Sequence, residues 1–63
     1  MNTALPSHPQ LTGDGLLVDD DDLYLRTLQR SLARKGLQTR TAQDIASALL
    51  LARQQPPAFA LID

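Results

Sequence analysis

The sequence predicts an α/β fold of the form β-α-β-α-β, with parallel strands in the local order 2-1-3. Three observations carry this expectation. Two short apolar runs, Leu16–Val18 and Ala58–Ile62, are each followed directly by aspartate, Asp19 and Asp63. Two stretches of helical period lie between them. A short stretch of period two separates those helical stretches. Alternating strands and helices with short connections pair in parallel, with the crossover helices on the sheet faces.

The organised chain is expected to begin at Gly15. Residues 1–14 include Pro6 and Pro9 among Asn, Thr, Ser and Gln, without helical or strand period, and read as a flexible tail. His8 lies in that tail with no second ligand type around it and reads as solvated. Leu16, Leu17 and Val18 stand between Gly15 and the acidic run Asp19–Asp22. Such a short continuous apolar run suits a central strand buried on both faces.

Asp22 is the expected N-cap of a helix over Leu23–Lys35, its carboxylate taking a free N–H of the first turn. Leu25, Leu28 and Leu32 recur at helical spacing and make the core face, with Tyr24 beside them. Arg26, Arg30 and Arg34 form a solvated stripe. Arg34 and Lys35 suit the negative end of the helix dipole, and Gly36 supplies the left-handed residue that closes the helix.

Leu37–Thr41 alternates apolar and polar residues, and its polarity predicts an edge strand. Thr41 with Asp44 three residues later reads as a variant capping box for a helix over Ala42–Gln54. Ile45, Ala48, Leu49 and Ala52 are its expected buried face, and Pro56–Pro57 forbids continuation. Right-handed crossovers then place the two helices on opposite faces and the first strand in the middle.

Composition narrows the function classes. The chain has 63 residues, with six Lys/Arg against seven Asp/Glu. It therefore holds at most one small domain or part of one. A formal net charge of -1 argues against a general nucleic-acid binder. Absence of Cys excludes disulfides and thiolate metal sites. No apolar run approaches the ~20 residues that span a bilayer, and the N-terminus lacks a secretory pattern. The expectation is a cytoplasmic chain with no membrane partner.

In a sheet of order 2-1-3 the carboxyl ends of the first and third strands lie side by side, at the switch point where open α/β sheets bind ligands. That brings Asp19 and Asp20 to Asp63. Three converging carboxylates repel one another, and a hard divalent cation removes the conflict. Mg²⁺ prefers oxygen ligands and commonly combines one or two carboxylates with a phosphate. The expected site is therefore a Mg²⁺ site handling a phosphoryl group, in which one carboxylate can serve as nucleophile.

Leu16-Leu17-Val18-Asp19-Asp20-Asp21-Asp22, the helix closed by Gly36, the Thr41-Ala42 step, and Pro56-Pro57 before Ala60-Leu61-Ile62-Asp63 together resemble the receiver domain of two-component response regulators. The resemblance covers Gly15–Asp63. More narrowly, the chain is similar to the proteobacterial response regulators of the photosynthetic apparatus and redox control. This resemblance implies the N-terminal half of a flavodoxin-like doubly wound sheet. It implies Asp63 as the phosphoacceptor, Asp20 as a direct Mg²⁺ ligand, and Asp19 as its partner in the acidic pair. It implies a sensor histidine kinase as phosphodonor and transcription regulation as output. DNA would be bound only through a C-terminal output domain absent from this chain, and there is room for a dimer of the full-length parent. The family's later strands and helices, with their hydroxyl, Lys and aromatic switch residues, have no counterpart here. The chain is accordingly expected to be an N-terminal fragment, not an enzyme in itself, with self-catalysed phosphorylation confined to the full-length parent.

Two readings from other classes compete. Leu28–Arg53 could be a helix-turn-helix DNA-binding module, although the intervening Leu37–Thr41 is long for such a turn. The chain could also be a non-catalytic α/β interaction fragment docking through an open sheet edge. Gly13-Asp14-Gly15 precedes its strand and lacks a third Gly, so it is no dinucleotide fingerprint, and the acidic run lacks the Gly and Glu of a calcium loop.

Overall fold

The computed structural model describes residues 13–63. Most of the expected tail, including His8, lies outside the described residues. The element order is β1 (Asp14–Val18), α1 (Asp22–Ala33), β2 (Gln38–Ala42), α2 (Ile45–Gln54) and β3 (Phe59–Ile62). The sheet has the order β2-β1-β3 with both pairings parallel, as the sequence predicts. Leu16 lies opposite Arg40 and Ala60, and Val18 opposite Ala42 and Ile62. A five-residue strand therefore separates α1 from α2, which removes the helix-turn-helix reading.

Alternation along β1 divides the core between two faces. Leu17 and Leu25 are 0% and 1% exposed and seal β1 against α1. Leu16, Val18, Ala42 and Ala48 form the opposite cluster, joined by Leu51 and Ala52 of α2. Each fully buried Leu contributes about 1.5–3 kcal/mol relative to exposure. The buried seam of α2 is thus Ala48–Leu51–Ala52. Ile45 and Leu49, expected inside, are 57% and 51% exposed.

The caps explain that difference. Asp44, in extended conformation, accepts the Ser47 amide at 2.7 Å and so starts α2 at Ile45. Thr41 is not the cap, because it is paired opposite Leu17 inside β2. Starting three residues later fixes which of the consecutive Leu side chains turns toward the sheet. At α1 the N-cap is Asp21 rather than Asp22: its backbone is extended, and its Oδ1 accepts the Tyr24 amide at 3.1 Å. Asp22 is the first helical residue and pairs with Arg26 one turn on, at 3.0 Å. The C-terminus of α1 closes as expected. Gly36 has φ +83, its amide donates to Ala33, and the Leu37 amide donates to Leu32.

β1 begins one residue before the expected boundary, at Asp14. Asp14 is held there by Arg40, whose Nη2 lies 2.8 Å from Asp14 Oδ2 while Nε donates to the same oxygen at 2.9 Å. The same guanidinium donates from Nη1 to the Leu51 carbonyl at 3.0 Å and from Nη2 to the Gln55 carbonyl at 2.7 Å. One side chain on β2 thereby ties the foot of β1 to the last turn of α2, where the negative end of the helix dipole favours a cation. Gly15 is required for a different reason: the Phe59 ring of β3 occupies the space where a Cβ would sit.

Candidate carboxylate site at the strand ends

The sheet ladders bring the acidic residues together. Beyond the end of β1, the Asp19 amide donates to the Ala42 carbonyl at 3.1 Å. The Asp63 amide donates to the Val18 carbonyl at 3.0 Å. Asp19 and Asp63 therefore follow neighbouring strands at the carboxyl edge of the sheet, although forty-four positions separate them in the sequence. Asp19 is only 7% exposed and is the buried charged residue of the core. Asp20 and Asp63 are exposed.

Local backbone geometry divides the four consecutive aspartates. The Asp21 amide donates to Asp19 Oδ1 at 2.8 Å, which fixes one oxygen of the buried carboxylate. Asp21 spends its own carboxylate on the α1 cap. Asp22 is taken by Arg26 and by Gln43 Nε2 at 3.2 Å, the latter reaching across from the β2–α2 connection. Asp19 and Asp20 neither cap the helix nor form an ion pair, and of these two Asp20 is the exposed one.

The Asp21 amide is the main cause that holds the Asp19 carboxyl below its ordinary pKa. Partial burial opposes it. Asp19 is thus kept ionised in a position where burial alone would favour the neutral acid.

Below the carboxylates, a groove of about 540 Å³ runs between α1 and β3. Asp19 and Asp63 stand at it, and Leu17, Leu25, Leu28 and Leu61 contribute its apolar wall. Ile62, at 65% exposed, leaves β3 an open apolar edge on the side away from β1.

Among the described residues, no three His, Cys, Asp or Glu side chains are gathered into a metal cage. The strand ends set the backbone of Asp63 beside that of Asp19, the pair that the strand order predicts. The donor chemistry suits Mg²⁺: the groups are all carboxylates, and this ion takes one or two of them while keeping several waters. Sequence reasoning missed the roles of Asp21 and Arg40. The extended backbone needed one residue before a helix could have located the first, whereas the second depends on three elements meeting.

Over 48 residues the chain is 40% identical to the photosynthetic apparatus regulatory protein RegA of Rhodovulum sulfidophilum and, equally, to that of Cereibacter sphaeroides. It is 38% identical over 48 residues to the acid tolerance regulatory protein ActR of Sinorhizobium medicae. The chain is a homologue of these regulatory proteins. The matched stretch is 76% of this chain but 26% of each RegA and 25% of ActR, so the chain spans about a quarter of the length of the curated relatives it matches. No family model and no solved structure matches it. Among the described residues, no helix is long and apolar enough to cross a membrane.

Proposed function

We propose that this chain is the phosphoacceptor part of a two-component response regulator's receiver domain, with Asp63 receiving a phosphoryl group from a sensor histidine kinase. The observation that carries the reading is the juxtaposition of Asp63 with Asp19, fixed by the Asp63 amide on the Val18 carbonyl. Similarity to named regulatory proteins supports the same direction. In the full-length parent, transcription regulation would follow through a DNA-binding output domain.

An Asp63 carboxylate oxygen would attack phosphorus, forming the acyl phosphate O–P bond as the P–N bond to the kinase imidazole breaks. The bond pair and a proton end on the departing imidazole nitrogen. Asp19, Asp20 and Asp63 would hold Mg²⁺, which when bound neutralises charge on the phosphoryl oxygens. Asp19 is suited to its part because one oxygen is already fixed by the Asp21 amide and its charge is retained. Burial at the end of β1 restricts its motion, so little reorganisation is needed. Asp63 is suited to attack because its backbone is tied to the sheet while its side chain is exposed.

The test is a Mg²⁺ titration of the 63-residue chain, followed by amide NMR of the strand ends. Binding that weakens at least tenfold in Asp20→Asn supports the reading, and binding unchanged in that variant refutes the assigned ligand. In the full-length parent, a small acyl phosphodonor should place acid-stable, base-labile phosphate on Asp63, and none in Asp63→Asn. Equal labelling of the two would refute Asp63 as the acceptor.

A further inference from the structure

Asp21 makes two hydrogen bonds that point in opposite directions along the chain. Its amide donates back to Asp19 Oδ1 at 2.8 Å, and its own Oδ1 accepts forward from the Tyr24 amide at 3.1 Å. The Leu25 amide also donates to the Asp21 carbonyl at 3.0 Å, opening the helical ladder. The peptide unit that holds the buried carboxylate is therefore fixed by the same residue that starts α1.

We propose that Asp21 is a positioning residue for the strand-end carboxylates: by capping α1 it holds its own amide on Asp19 and so decides which Asp19 oxygen remains for a ligand. The role is that of an uncharged hydrogen-bond acceptor. Asp21's carboxylate faces the first turn of α1, and its negative charge is not required at the cation. Asn, which caps helices about as well as Asp, should replace it; Ala, which cannot accept the Tyr24 amide, should not.

The metal arm of the test rests on the function proposed above. Mg²⁺ affinity is measured on the 63-residue chain as wild type, Asp21→Asn, Asp21→Ala and Asp44→Ala. Asp44 provides the equivalent cap for α2 on the Ser47 amide, so its removal reproduces the loss of a cap without touching Asp19. The expected result is an affinity within about twofold of wild type for Asp21→Asn and Asp44→Ala, and a loss of about fivefold for Asp21→Ala, the size of a typical cap. Equal losses in Asn and Ala would make Asp21 a ligand by charge and overturn the proposal. An equal loss in Asp44→Ala would reduce the effect to general stability, and would overturn it too. A second readout needs no metal: the exchange protection of the Asp21 amide should survive in Asp21→Asn and fall in Asp21→Ala. If wild type binds no Mg²⁺, the phosphoacceptor reading fails while the amide measurement still decides the role of Asp21; protection unchanged in Asp21→Ala overturns it.

Discussion

Replacing Gly15 with Ala tests the packing of the central strand, because two physical effects predict opposite signs. Gly inside a strand is less favourable than Ala by about 0.5–1 kcal/mol, since it loses more backbone freedom on folding. On that ground alone Gly15→Ala should stabilise the chain. In the structure, a Cβ on Gly15 would overlap Cζ and Cε2 of Phe59 and come within 2.9 Å of Cδ2. Gly15 and Phe59 are register partners in the β1–β3 ladder, so the ring cannot be avoided by a change in the turn. Either the ring swings off the strand or β3 moves away from β1. Such overpacking costs about 1–3 kcal/mol, and subtracting the backbone gain leaves a net loss of up to about 2.5 kcal/mol. Urea denaturation followed by far-ultraviolet circular dichroism should show this as a lower midpoint. The decisive comparison is the double-mutant cycle with Phe59→Ala. Once the ring is gone, Gly15→Ala should become neutral or stabilising, by up to about 1 kcal/mol. A stabilised Gly15→Ala in the presence of Phe59, or the same loss with and without the ring, would refute the argument.

Arg40→Met keeps an unbranched stem against the sheet while removing the bonds to Asp14, Leu51 and Gln55. Discounting charge-assisted bonds for partial exposure, it should cost about 1–2 kcal/mol in urea denaturation, and Asp14→Asn less, because the contacts to α2 remain. Acidification should also destabilise the fold. Asp19 is held below its ordinary pKa mainly by the Asp21 amide, and Asp44 mainly by the Ser47 amide. Between the lowered folded values and the unfolded value near ~4, the unfolded chain binds more protons. Their contribution is therefore complete above about pH 4 and is lost as pH falls through the folded values. Thermal melts between pH 6 and 2.5 measure this, and a melting temperature that rises on acidification from pH 4 would contradict it.

Strand order was legible because the decisive residues are local and unambiguous. An apolar triplet such as Leu16–Val18 has no polar face to turn outward, so it belongs in the middle, and a polar Gln38–Ala42 belongs at an edge. The inner face of α2 was less legible, since Ile45–Ala48–Leu49–Ala52 and Ala48–Leu51–Ala52 are both helical spacings. Only the place of the cap, Asp44 instead of Thr41, selects between them. Asp14 looked like tail because its partner Arg40 is twenty-six positions away and faces α2 as well. The meeting of Asp19 with Asp63 was readable from topology. How far the carboxylates would gather was not, because that depends on rotamers set by individual amide donors such as Asp21.

The acidic run acquires its meaning from where the backbone changes conformation. A uniform stretch of four aspartates on one solvated surface would present four equivalent charges. Here the chain leaves a strand, turns and enters a helix within those residues, so each carboxylate meets a different set of donors. Asp19 inherits the sheet's burial and an amide, Asp21 inherits the free N–H of a helix start, and Asp22 inherits a cation one turn ahead. Repulsion within the run is relieved by these separate partners instead of by distance. What is left over, Asp20 beside Asp19 and the exposed Asp63 on the neighbouring strand, lies at the sheet's carboxyl edge, where among the described residues no cationic side chain pairs with any of the three.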